Sequence, residues 1–330
     1  MNGSTLKSWL VRASLLALTT SIGACSVGIA TLPVATSAVA VATPAATRIA
    51  TPSASAATIA SPAPSTESSP NEIAVKAYFV KVGDVEDSPT PLVVVNRDIP
   101  RTEAVARAAM EQLLMGPTDE ERAHDLRLGT IGTLIPKGTR LLGIAIDNGI
   151  ATVDLSGEFA SGRALGVDPA RAWAWRLAQV TYTRTQFPTV QSVSFKVDGK
   201  PTLAIEGHEG TPIERATHSA YFDQLPAIFV DLPAWGAAIT DSLTVSGIAQ
   251  IFALEPQFEA ALVDPETDEI IARQTVRPDC GEGCWQPPGG GEFEIHFSIP
   301  AGADRDALLL RLWEVAPDGS VIDVREYPLR

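Results

Sequence analysis

The chain has 330 residues, with 39 acidic against 25 basic side chains, a net charge of −14 and a pI near 4.7. A surface of that sign is repelled by nucleic acid and by anionic lipid headgroups, which argues against binding either through a general electrostatic footprint. Three cysteines and four histidines leave little material for metal or thiol chemistry.

The first 24 residues have the layout of a secretory signal: Lys7 and Arg12 in a basic start, an apolar stretch from Ala13 to Ile22, then small residues before Cys25. That stretch is too short, and too rich in Ser and Thr, to span a bilayer as a helix. Ile22-Gly23-Ala24-Cys25 resembles the lipobox of bacterial lipoproteins. The resemblance implies cleavage before Cys25 and lipidation of its sulfur, which would fix the chain to the extracytoplasmic face of the cell membrane. Two or more acyl chains give stable anchoring where one does not.

Residues 25–70 continue as an Ala/Thr/Ser/Pro-rich stretch in which Arg48 and Glu67 are the only charges. It has no amphipathic period and recurrent prolines, so it predicts a disordered tether rather than a packed core. As a coil its ends lie ~40 Å apart, and fully extended it reaches ~140 Å.

The remainder suits two domains of ordinary size. "IAVKAYFVKVGD" and "PLVVVNRDI" read as strands. "TEAVARAAMEQLLMGP" reads as a helix with Thr102 as N-cap, Val105, Ala109 and Leu113 as its stripe, and Gly116-Pro117 as its stop. "TRLLGIAIDNGIATVDLS" predicts a hairpin with a type I′ turn at Asn148-Gly149. Asp168-Pro169 opens a second helix running to about Phe187, and "VQSVSFKVDGK" adds a strand. The order β-β-α-β-β-α-β predicts an α+β domain with helices on one face of a mixed sheet.

Three segments in this order, "TEAVARAAMEQLLMGP", "IPKGTRLLGIAIDNGIATVDLSGEF" and "FPTVQSVSFKVDGK", resemble the GerMN domain of sporulation and spore-germination proteins. The resemblance covers roughly Val75 to Gly207 and places the domain at residues 71–207. It implies a fold related to ring-building modules and carries no catalytic residues. Gly138 and Gly149 have a local reason as well, since turns there need φ > 0.

Residues 208–226 read as a linker. From Ala227 to Arg330 about seven short strands separated by Asp-Pro, Pro-Asp and Asp-Gly joints predict an all-β sandwich. The Ile228, Val230, Pro233 start, the Leu243–Gly247 strand and the Asp318-Gly319 turn resemble the immunoglobulin-like spore-germination domain that often follows GerMN.

Catalytic signatures are thin. No Gly-x-Ser-x-Gly elbow occurs, and His208-Glu209 lacks the second histidine of a zinc-protease helix. Asp154 and Glu158 can be posed as paired carboxylates of a glycosidase, but they sit at a strand end and the turn after it, where solvated acids are ordinary. Cys280 and Cys284, outside the membrane on the signal reading, predict a disulfide contributing about 2 kcal/mol in the chain-entropy model. Their Cys-x3-Cys spacing with one distant His296 does not suit zinc, and no metal or other cofactor is expected.

On the second helix Trp173, Leu177 and Val180 share one stripe and Trp175, Ala178 and Tyr182 another, nearly opposite. If one faces the sheet, Trp175 and Tyr182 on the other are candidates for a protein-contact patch; a covering loop is the alternative. The sequence reads as a non-enzymatic envelope lipoprotein that presents its domains for binding or assembly. Expected partners are the membrane through the lipid, an envelope protein or another copy, or wall glycan, and not nucleic acid. The rival is a glycan-processing enzyme with a dispersed carboxylate site.

Overall fold

The computed structural model describes residues 71–330 apart from 83–91, 123–128, 162–166, 203–211, 252–256, 280–289, 305–307 and 317. The signal and tether, Cys25, Cys280 and Cys284 therefore lie outside the described residues.

The chain opens with an antiparallel pair, β1 (Glu72–Val82) and β2 (Leu92–Pro100), to which β3 (Thr130–Gly132) adds on the other side of β1. Between β2 and β3 run the helix α1 (Val105–Leu114) and the single turn α2 (Asp119–Arg122). A second sheet has the order β4-β5-β6-β7, made of β4 (Leu141–Asp147), β5 (Ile150–Leu155), β6 (Ser192–Val197) and β7 (Lys200–Pro201). β5 and β6 are parallel and are joined through α3 (Pro169–Thr185), as a parallel pair requires a crossover.

Local chemistry explains most boundaries. Asn148 (φ 47°) and Gly149 (φ 78°) make the two-residue turn between β4 and β5, and Gly138 turns with φ 91°. Asp168 caps α3 by accepting from the Arg171 N–H at 3.1 Å, with Pro169 in the first turn. Thr102 does not cap α1: the helix starts at Val105 behind Ala104, and the Thr102 hydroxyl instead accepts from the Ala104 N–H in the turn before it.

The predicted single mixed sheet is two sheets with α3 between them. α3 packs against β1, β6 and α1, so it is buried almost all round. Its polar side chains are spent on backbone. Gln179 donates to the Tyr78 carbonyl at 2.9 Å and accepts from the Leu134 N–H at 3.0 Å. Arg176 donates to the carbonyls of Leu134 (2.8 Å) and Phe159 (3.0 Å), and Arg184 to that of Ala106 at 2.6 Å. Burial pulls the Arg184 guanidinium down to about 10.

The stretch read as a linker is fastened. Ala216 bridges to Val193 of β6, and a 3-10 segment, His218–Gln224, lies on α3. Beyond it stand the seven expected strands: β8 (Ile228–Leu232), β9 (Ser242–Ala249), β10 (Phe258–Val263), β11 (Ile270–Val276), β12 (Gly291–Ser298), β13 (Leu309–Val315) and β14 (Val321–Pro328). They form sheets ordered β12-β9-β8 and β11-β10-β13-β14, a sandwich whose apolar inner faces join the core of the α+β part in one cluster.

Two predictions follow from this packing. A Cβ on Gly247 of β9 would lie 1.9 Å from the Phe229 carbonyl oxygen of β8, so Gly247→Ala should cost about 3 kcal/mol in a urea titration; an unchanged midpoint contradicts the close approach.

All four tyrosines are buried. Burial pushes the hydroxyls of Tyr78, Tyr182 and Tyr221 above their ordinary value, with Asp231 adding to the effect at Tyr78. Burial, partly offset by Arg325, pushes Tyr327 up to about 12. Unfolded tyrosines lose their protons from about pH 10 while folded ones keep them. Their contribution is therefore full below pH 10 and falls above it by about 1.4 kcal/mol per pH unit for each. Absorbance at 295 nm should stay flat past pH 10 and rise in one step with loss of the fold; a gradual rise in the folded protein contradicts this.

Candidate functional site

Two constellations of polar and aromatic side chains stand out. The first joins the α+β part to the sandwich. Lys76 and Tyr78 project from β1, and both meet Asp231 of β8: Lys76 Nζ at 2.5 Å from Oδ2, and the Tyr78 hydroxyl donating to Oδ1 at 3.1 Å. Gln186, just past α3, holds β1 in place by accepting from the Lys76 N–H at 2.8 Å and donating to its carbonyl at 2.7 Å. Tyr78, Tyr182 and Phe229 pack their rings within 6.5 Å of one another, centroid to centroid. The His218 ring stacks on Tyr182 at 4.3 Å and pairs with the Thr185 hydroxyl. Burial lowers the His218 pKa, against the pull of Asp231. Two further ties cross the same boundary: the Trp235 N–H donates to the Val94 carbonyl at 2.8 Å, and Arg330 pairs with Glu120 of α2. A carboxylate already saturated by a lysine and a phenol, against a stacked aromatic wall, is suited to fixing two modules in one orientation rather than to moving protons.

This arrangement corrects the contact-patch expectation. Trp175 and Tyr182 are 3% and 2% exposed, because α3 is enclosed on both stripes. Tyr182 is covered by the His218 segment, whose backbone carbonyl accepts its hydroxyl at 3.2 Å, and by Phe229 of the sandwich.

The second constellation lies on the outer face of the β11-β10-β13-β14 sheet, in an open hollow of about 560 Å³. Trp313 of β13 forms its floor, only 7% exposed because the Arg273 guanidinium lies over the ring at 5.1 Å. Arg273 is held by Glu259 at 2.8 Å, and Arg311 by Asp268 at 2.7 Å and Glu326 at 2.6 Å. At Arg311 desolvation opposes the charge, but the hydrogen bonds to those two carboxylates outweigh it and raise its pKa. The arginines are thus neutralised within the hollow, and its rim is apolar: Ile270, Val315, Val321 and Val324 are each more than two-fifths exposed. A tryptophan and paired arginines ringed by exposed aliphatic side chains have the composition of a protein-contact centre. A second hollow of about 430 Å³ on the β5–β6 face is lined by Thr152, Ser194, Lys196 and Arg215 among others.

The posed carboxylate pair is occupied in turns. Asp154 accepts from the Gly199 N–H at 3.0 Å, and the exposed Glu158 carboxyl is held below its ordinary range first by the Ser156 hydroxyl. Among the described residues no group of three metal-binding side chains converges, and no helix is long and apolar enough to cross a membrane. Sequence reasoning missed the Trp313 hollow, although the alternation Arg311, Trp313, Val315 in "LLRLWEV" carried the signal.

The seam yields a prediction. Asp231→Ala strands both Lys76 and the Tyr78 hydroxyl and should lower stability by about 1–2 kcal/mol, with Asp231→Asn costing less. Equal urea midpoints for all three proteins contradict this.

Residues 76–203 match the family model described as Germane: Sporulation and spore germination. Among solved structures the chain is similar to the first GerMN domain of the sporulation protein GerM from Bacillus subtilis, at 22% identity over 44% of this chain and 97% of that one, with a TM-score of 0.34. It is similar to a Clostridium perfringens protein described as a lipoprotein, at 20% identity over 44% and 86%, TM-score 0.27. It is also similar to the tandem GerMN domains of GerM, at 15% identity over 71% and 63%, TM-score 0.35. No curated protein matches it. The part of the chain that matches the sporulation and spore germination family model, residues 76–203, runs from β1 to β7 in the order β-β-α-α-β-β-β-α-β-β.

Proposed function

We propose that this chain is a non-enzymatic envelope lipoprotein, anchored through Cys25, that holds a GerMN domain (71–207) and an immunoglobulin-like domain (227–330) outside the membrane to bind a protein partner. The observation that carries this reading is the Trp313 hollow: an open, internally neutralised face with an exposed aliphatic rim, built to cover and be covered rather than to enclose a small substrate. The signal-like start, the lipobox-like Ile22-Gly23-Ala24-Cys25 and the Ala/Thr/Ser/Pro-rich residues after it support the anchor. Outside the membrane Cys280 and Cys284 would pair as a disulfide.

The test has two arms. Wild-type chain in cells should incorporate labelled palmitate and sediment with membranes, while Cys25→Ser loses both; an unacylated, freely soluble wild type overturns the anchor. A photoreactive residue at Val321 should give a discrete crosslinked protein species in intact cells, reduced at least about tenfold by Trp313→Ala or Arg273→Glu. Crosslinking indifferent to both substitutions overturns the hollow as the contact.

A further inference from the structure

We infer that β4 is a self-pairing edge: two copies of this chain join β4 to β4 antiparallel, about a two-fold axis near Ile144, into one continuous sheet. This deepens the assembly reading by naming a partner and a surface, and it requires neither the lipid nor the Trp313 hollow.

β4 ends its sheet, hydrogen-bonded to β5 alone among the described residues. From Leu141 to Ile146 it carries no charge and no proline. Leu142 and Ile146 are 47% and 44% exposed. Natural sheets blunt such edges with charge, proline, strong bulges or shortness. The other edge strands of the described sheets use these devices. β2 carries Arg97 and Asp98 and ends at Pro100, β12 exposes Glu292 and Glu294, β8 carries Asp231, β3 has three residues, β11 has Arg273 at its middle, and β14 carries Asp323, Arg325 and Glu326. β4 has the bulge between Leu141 and Gly143 and a charge only at its last residue, Asp147, which leaves six uncharged residues in a row.

Register and charge select a second copy as the occupant. Ile144 and Ile146 lie opposite Val153 and Ala151, both buried, and so belong to the helix-side face, while Leu142, at the bulge, has no partner on β5. In a two-fold pairing about Ile144, Leu142 comes opposite Ile146 of the other copy at both ends and Ile144 opposite itself, so each cross-strand pair in the register is apolar or glycine. Past each end, exposed Arg140 comes beside the exposed Asp147-Asn148 of the other copy, so opposite charges meet twice. On a chain of net charge −14, a six-residue uncharged run bracketed by Arg140 and Asp147 lets two copies approach with little repulsion. The main-chain bonds of strand addition supply the rest of the affinity.

Sedimentation equilibrium on the full chain carrying Cys25→Ser, which removes any lipid-driven association, should give a mass that rises with concentration from one chain to two. Leu142→Lys with Ile146→Lys, both at exposed positions and so compatible with an unchanged melting curve, should raise the dimer Kd by about a hundredfold or more. Arg140→Glu and Asp147→Arg should each weaken the dimer at low salt, and the two together should restore it. Trp313→Ala should leave it intact, which separates this contact from the hollow. A chain that stays single at all concentrations, a dimer that survives both lysines, or a dimer lost only with Trp313→Ala overturns the inference.

Discussion

The structure depends on one buried helix that satisfies other elements' backbone. α3 sits between two sheets, where no water reaches the strand and loop groups beside it. An unpaired amide or carbonyl there would cost on the order of 1–3 kcal/mol. Gln179, Arg176 and Arg184 supply the partners: Gln179 ties β1 to the loop before β4, and the two arginines hold that loop, the turn after β5 and the start of α1. The helix thus sets the spacing of the β1-β2-β3 sheet from the β4-β5-β6-β7 sheet. Everything presented at the surface inherits that spacing.

The sandwich is attached by the same logic of satisfying groups that the first module brings to its boundary. Lys76 and Tyr78 stand on β1, which α3 and Gln186 position, and Asp231 completes them from 155 and 153 residues away. A buried or half-buried network of this kind is worth most when every member is paired. Here the phenol, the ammonium and the carboxylate all are. The aromatic packing of Tyr182 between His218 and Phe229 then closes the boundary against water, so the two modules act as one support for the surfaces they carry.

Those surfaces differ in chemistry. The Trp313 hollow is wide, with its charges cancelled internally by Glu259, Asp268 and Glu326, and offers area to a partner of complementary shape. The β4 edge is narrow and offers main-chain hydrogen bonds in register. They lie on different sheets, so one can be occupied without the other. The carboxylates posed as a glycosidase pair, Asp154 and Glu158, are committed to turns at the C-terminal end of β5.

The sequence alone determined the elements whose causes are local. Asn148-Gly149 dictates its hairpin because both residues tolerate φ > 0, Asp168-Pro169 starts α3 because one caps and the other cannot continue backwards, and seven short alternating runs write the sandwich. The lack of charge along Leu141–Ile146 was also plain to read. Tertiary structure alone decided which faces are covered. Two apolar stripes on α3 suggested one free face, yet a second sheet and the His218 segment close over Trp175 and Tyr182. Trp313 reads in the sequence as one more strand aromatic, and becomes the floor of a hollow only when β11 and β14 bring Arg273 and Glu326 beside β13. Side-chain period is a property of a few residues, whereas burial is set by strands and helices that meet from more than a hundred residues apart, and no local pattern records which of them arrives.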